Sequence, residues 1–492
     1  MLIMNFLTSY RTVFLVLGLM LFACSDPIDN DKVSDKPEGV RRTRDAVIDL
    51  DEIRELGKLK AIIDNSSTSY FIYKGQPMGF EYELLSRFAK HIEVDLEVEL
   101  VDDLGLMIEE LRYNNGDIIA ANLTVTKERK EQIDYSNPIL TTRQVLVQRQ
   151  LQADDIQKGK LLIESPMELM DKKVYVQKAS SFYNRLNNLS EEIGGDIEIQ
   201  EVAGNLTVEQ MIEKVAEGEI DYTVADEHVA KINQAYYRNI NIKTALSLDQ
   251  QVAWGVRKES PNLQIAINEW LEDFKKTVDF RVIYLKYYGN TKLFRNRVQN
   301  RLFTSKSGKL SDYDAIVKQK AEIVGWDWRL ITSLIYQESK FNPQARSWVG
   351  AQGLMQLMPS TSAEYGLDSN ATVAENIEAG VRYLNWIDKQ FEEKVHDPYE
   401  RQKFVIAAYN VGLGHVFDAI RLAESRNLNA EKWEGNVAEM LLKKSDPEFY
   451  QDSVVYYGYC RGREPYHYVK EIYNRYNDYL NITQSGDKLV SM

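Results

Sequence analysis

Glu338 stands where a carboxylic acid can be kept protonated near neutral pH. Within residues 327–340, Ile331, Leu334, Ile335 and Glu338 fall at i, i+3, i+4 and i+7. One face of a predicted helix therefore carries three apolar side chains and then a carboxyl group. Burial disfavours the ionised form and raises a carboxyl pKa, which suits a general acid. The same spacing also describes a glutamate at the rim of a packed helix, so periodicity alone leaves both roles open. In the N-terminal half, Arg129 closes the run Thr124-Val125-Thr126-Lys127-Glu128-Arg129. Its planar fork can take one carboxylate through two charge-assisted hydrogen bonds. A surface salt bridge to Glu131 or Asp134 is the plain alternative.

The elements that must hold these groups fall into regions of different pattern. At 492 residues the chain has room for about three units of roughly 100–200 residues each. Hydrophobic residues at 44% and charged residues at 27% are ordinary for globular modules and exclude a disordered or collagen-like chain. A formal charge of −14 and the lack of a dense Lys/Arg block exclude nucleic acid as the expected partner. Two cysteines, Cys24 and Cys460, build neither a disulfide framework nor a cysteine zinc site. The five histidines show no ligand spacing, so neither a metal nor any other cofactor is expected.

Residues 12–22 form an apolar run too short to span a bilayer but suited to a signal-peptide core. It ends in Leu21-Phe22-Ala23-Cys24, which is similar to the bacterial lipobox; a short buried helix with an incidental cysteine is the other reading. The expected layout is a signal peptide over 1–23, lipidation at Cys24 and a polar tether over 24–54. Ser25 stands where an aspartate would favour inner-membrane retention, which points to the outer membrane, facing the periplasm. Cys460 is then left as a buried small hydrophobe. Over 55–290, short β-rich runs alternate with amphipathic helical ones and the pattern repeats once, predicting two α/β lobes with largely parallel sheets. A polar, glycine-containing linker is expected over 291–311, a mainly helical region over 312–480, and a tail over 481–492. Thr361-Ser362-Ala363-Glu364 fits a capping box.

Gly79-Phe80-Glu81-Tyr82-Glu83, Gly116-Asp117-Ile118 and the run ending at Arg129 resemble the periplasmic solute-binding family that includes polar amino-acid receptors. The resemblance implies a two-lobed periplasmic-binding-protein-like fold with Arg129 on a ligand carboxylate. It implies that Asp226 meets an ammonium and that Ser180 and Ser181 lie at a helix N-terminus suited to an anion. An amino-acid or muropeptide ligand is the expectation; Asp226 as a simple helix N-cap is the alternative.

Downstream, Glu338-Ser339, Gly353-Leu354-Met355-Gln356, Ala408-Tyr409-Asn410-Val411-Gly412 and Arg461-Gly462-Arg463-Glu464-Pro465-Tyr466-His467-Tyr468-Val469 follow in order. Together they resemble the lytic transglycosylase domain, a goose-lysozyme-like family that cleaves peptidoglycan. The last block departs from the family pattern at Pro465, where a threonine is common. The resemblance implies a mainly α lysozyme-like fold and glycan strands as substrate. Glu338 would act as acid and then base, closing a 1,6-anhydro ring on muramic acid. Ser339, Met355, Gln356, Tyr409, Asn410 and Tyr468 would bind the sugar or steady the glutamate; in the plainer reading Met355, Tyr409 and Tyr468 are core side chains and the Ser339 hydroxyl satisfies the helix backbone. The whole resembles a membrane-bound lytic transglycosylase with a solute-binding module. Two other functions stay open: a solute-binding lipoprotein with a degenerate C-terminal domain, and a muramidase-type hydrolase with Glu364 or Asp418 as a second acid.

Overall fold

The computed structural model describes residues 46–490 except 154–156, 158–160, 203–205, 301, 305–307 and 369. The signal peptide, Cys24, most of the tether and part of the linker lie outside the described residues.

Two five-stranded sheets form two lobes. In the first, Asp95–Leu100, Lys58–Ile63 and Ile118–Ile119 run parallel, and Gly255–Val256 and Asp134–Tyr135 complete the sheet antiparallel. In the second, Glu198–Val202, Lys173–Gln177 and Tyr222–Asp226 run parallel and are followed by Gln144–Arg149 and Ile240–Asn241. Ala61, Ile62 and Ile63 are all buried, as expected of a strand covered on both faces. Helix Phe80–His91 covers the first sheet with Leu84, Leu85 and Phe88, the stripe legible in its spacing. The sheets are mixed rather than mainly parallel, because the chain crosses between lobes twice. It leaves along Leu140–Thr142 and returns along Gln250–Val252, and these two strands pair antiparallel with each other.

The C-terminal module is helical and packs on its own core. Helix Trp328–Ser339 buries Ile331, Leu334 and Ile335 against residues such as Leu384, Phe404 and Ile472. Its Ser333 Oγ donates to Ile472 O at 2.8 Å, pinning it to the long helix Arg463–Val490. A buried polar knot fastens the loop that precedes the long helix. Lys444, 0% exposed, places Nζ 2.5 Å from Asp418 Oδ2 and 3.0 Å from His415 Nδ1. Asp418 also accepts from Arg421 and from the backbone N–H groups of Tyr456 (2.8 Å) and Tyr457 (2.9 Å). Cys460 is free and buried, as its apolar character suggested.

Three expected boundaries are corrected. The tether does not reach residue 54, because Asp49 caps helix Leu50–Leu56 in a capping box with Glu52, and Leu50 and Ile53 enter the core. The stretch 291–311 is not a simple linker: helix Thr291–Val298 buries Phe294 and Val298, Phe303 and Leu310 follow into the first lobe, and Thr304 bonds both backbone groups of Ile72. Apolar residues scattered among polar ones hid this. Nor does a tail begin at 481, since Arg463–Val490 continues through it. Asn481 Nδ2 donates to Val98 O at 2.6 Å and Ile482 is buried. The same helix joins the modules, Tyr479 Oη donating to Gly75 O at 2.7 Å and Tyr70 Oη to Asp478 Oδ1 at 2.6 Å. The capping box at Thr361 is also absent, because Pro359 already opens that helix with Met358 as N-cap.

Candidate active site

Glu338 lies in the last turn of helix Trp328–Ser339, at a groove of about 730 Å³. Burial pushes its carboxyl up to about 7, partly opposed by a hydrogen bond that Tyr468 Oη donates to Oε1. The two are 130 positions apart and meet because their helices pack together. Tyr468 is itself buried, and burial beside Glu338 holds its phenol protonated. Asn410 is exposed on the same groove, and Tyr459, Arg461 and Arg463 line it as well. The last three belong to the loop and helix start around the final motif. No role was assigned to them in sequence, although Arg461-Gly462-Arg463 was visible there.

The remaining residues of the set act from behind. Tyr409 Oη donates to Met355 O at 2.6 Å, and burial, with the nearby Glu338 carboxylate adding to it, raises the phenol's pKa. Met355 does not offer a side-chain wall: it is 0% exposed and packs over Gly380, and its carbonyl accepts from Tyr409. Ser339 is likewise buried and donates to Ile335 O at 3.0 Å, which satisfies the helix backbone rather than a sugar. Gln356 adopts φ +47° and turns Nε2 back on Ala345 O (3.0 Å) and Gly353 O (2.9 Å), so its donors hold the loop. Gly353 needs its φ of +81°, and a Cβ there would lie 2.5 Å from Asn376 Nδ2. Asn376 Oδ1 in turn accepts from Met355 N at 3.0 Å, a supporting contact with no sequence signal. Of the two candidate second acids, Asp418 is engaged in the buried knot, and Glu364 stands exposed at the end of helix Pro359–Glu364.

The four N-terminal residues converge on one cavity between the lobes, of about 80 Å³. At about 10–15 Å³ per water, that is room for a small solute. Arg129 is buried and bonds no acid among the described residues; Nη1 donates to Thr124 O (3.0 Å) and Nη2 crosses to Ala179 O (3.1 Å). Asp226, 3% exposed, begins helix Glu227–Gln234 but makes no side-chain cap. Its Oδ2 accepts from Asn122 Nδ2 of the first lobe at 2.9 Å, and burial pushes its carboxyl up to about 7. Ser180 N-caps Ser181–Ile193 by position, yet its Oγ makes no hydrogen bond; Ser181 Oγ accepts from Gln144 Nε2 at 3.0 Å.

Two families match different parts of the chain. The one described as transglycosylase SLT domain covers residues 315–432, and bacterial extracellular solute-binding proteins, family 3, covers 59–290. A Desulfosudis oleivorans protein named membrane-bound lytic murein transglycosylase F is 35% identical over 430 residues, 87% of this chain and 90% of that protein. The chain belongs to the membrane-bound lytic murein transglycosylase F family. A Pseudomonas fluorescens (strain Pf-5) protein of the same name is 32% identical over 446 residues, 89% of each chain. Among solved structures, that of an ancestral amino acid-binding protein, a precursor of cyclohexadienyl dehydratase, aligns with 49% of this chain and 98% of its own at 26% identity and a TM-score of 0.41.

Proposed function

We propose that the C-terminal module cleaves the bond between N-acetylmuramic acid and N-acetylglucosamine in peptidoglycan without water, and that Glu338 carries both proton transfers. The protonated carboxyl gives its proton to the glycosidic oxygen as that bond breaks. The resulting carboxylate takes the proton from the muramyl C6 hydroxyl, whose oxygen attacks the anomeric carbon and closes the 1,6-anhydro ring. An attacking group on the same sugar needs no capture from solvent, and this proximity supplies much of the rate. The observation that carries the reading is a carboxyl held near pKa 7 at an open groove, with a phenol donating to it. Mass analysis of products from purified sacculi tests it: anhydro ends are expected, and ends heavier by one water would mean hydrolysis.

Tyr468 favours the ionised glutamate, so its loss raises the Glu338 pKa. A reaction that starts from the protonated acid loses kcat/KM as pH rises through that pKa. In Tyr468→Phe the descending limb near pH 7 should therefore move to higher pH, while kcat falls because the carboxylate formed in the first step has lost its donor. An unmoved limb would detach Tyr468 from the acid.

The N-terminal module would hold an amino-acid-like ligand, its carboxylate on Arg129 and its ammonium on Asp226. Cys24 would anchor the chain by lipid in the outer membrane, with both modules in the periplasm on glycan strands. No helix among the described residues is long and apolar enough to cross a membrane. Cys24→Ala should then move the protein from the membrane pellet to the soluble fraction; persistence in the pellet after a high-salt wash would refute the anchor.

A further inference from the structure

The cavity between the lobes is lined by four carboxyl groups, Asp64, Asp102, Glu209 and Asp226, against one guanidinium, Arg129. A simple amino acid uses one of each and leaves three acids over. Asp64 and Asp102 follow the adjacent parallel strands Lys58–Ile63 and Asp95–Leu100, so both lie beyond the carboxyl edge of the first sheet. Glu209 faces them from the other lobe, in the first turn of helix Val208–Glu217, and accepts from Ser67 Oγ of the first lobe at 3.0 Å. None of the four forms an ion pair among the described residues. Burial disfavours ionisation of both Asp102 and Glu209, and the neighbouring Asp64 adds to it, as expected of acids crowded into one pocket.

Two unpartnered polar atoms point to a ligand in this cavity. Asp226 Oδ1 and Ser180 Oγ, in residues each 3% exposed, have no hydrogen-bond partner among the described residues, and both side chains line it.

We infer that the cavity takes an amino acid with a second positive charge on its side chain, an ammonium or guanidinium seated between Asp64, Asp102 and Glu209. The inference rests on the amino-acid-binding reading of Arg129 and Asp226. Calorimetry on the full chain separates charge from shape when L-arginine is compared with neutral L-citrulline and L-lysine with L-norleucine. At least one cationic member should bind about 10–100-fold tighter than its neutral counterpart, the worth of a charge-assisted pair. In Asp64→Asn and in Glu209→Gln that preference should shrink by about tenfold with little change in binding of the neutral member, whereas Arg129→Ala should weaken every ligand. Equal binding within both pairs, or displacement of the cationic ligand by calcium chloride, would overturn the second-cation inference and leave the amino-acid reading standing. Failure of the wild type to bind any of the four would overturn both.

Discussion

Glu338→Gln should leave a folded protein that releases almost no anhydromuropeptide from sacculi. The amide keeps the shape of the acid and an oxygen for Tyr468 Oη to donate to, but it carries no transferable proton. General acid–base assistance is typically worth about 10²–10⁴-fold, and here one side chain serves both half-steps, so the loss should lie at the upper end. Stability should hold, because a neutral amide avoids the cost of desolvating a charge at this partly buried site. Mass analysis of released products, with thermal melting alongside, reads both effects. A variant with activity near the wild type would place the catalytic acid elsewhere.

The second large effect is on stability, and it lies away from the chemistry. In Asp418→Ala the ammonium of Lys444, 0% exposed, keeps only His415 as a hydrogen-bonding partner, while the backbone N–H groups of Tyr456 and Tyr457 lose their acceptor. Removing one partner of a buried ion pair costs about 3–5 kcal/mol, because the other charge stays buried. The denaturant midpoint of the C-terminal module should fall accordingly, and activity with it, since Tyr459 and Arg461 continue from the same loop into the groove. The double change Asp418→Leu with Lys444→Met should be milder, because no fully buried ammonium is left unpaired, although Arg421 and the Tyr456 and Tyr457 N–H groups still lose their acceptor. If the single variant loses less than about 1 kcal/mol, the knot is not what holds the loop.

Close approach matters at one more point on that loop. A side chain at Gly462 would collide with the carbonyl oxygen of Leu441. The glycine in Arg461-Gly462-Arg463 is therefore there for space, and the two arginines beside it reach the groove because the backbone can pass so near.

Much of this could be read from local pattern. The stripe Ile331, Leu334, Ile335 and Glu338 predicted a helix with an acid at its end, and the helix runs from Trp328 to Ser339 with that face in the core. The α/β alternation and its repeat predicted two lobes, and both sheets are present. Such features are legible because helix and strand periods are local, and each element buries one face whatever covers it.

Local pattern did not reveal what covers each face. Met355 and Ser339 could by pattern have met the sugar or packed inside, and both are buried, while Arg461, Arg463 and Tyr459 reach the groove. The meeting of Tyr468 with Glu338 depends on two helices packing across 130 positions, and the acid-rich cavity depends on loops from two sheets closing on each other. The chain by itself determined which residues could do chemistry and on which elements they ride. Only the tertiary structure decided which of them share a desolvated space, because burial and counter-charge, which set a pKa and expose or hide a donor, come from neighbours distant in sequence.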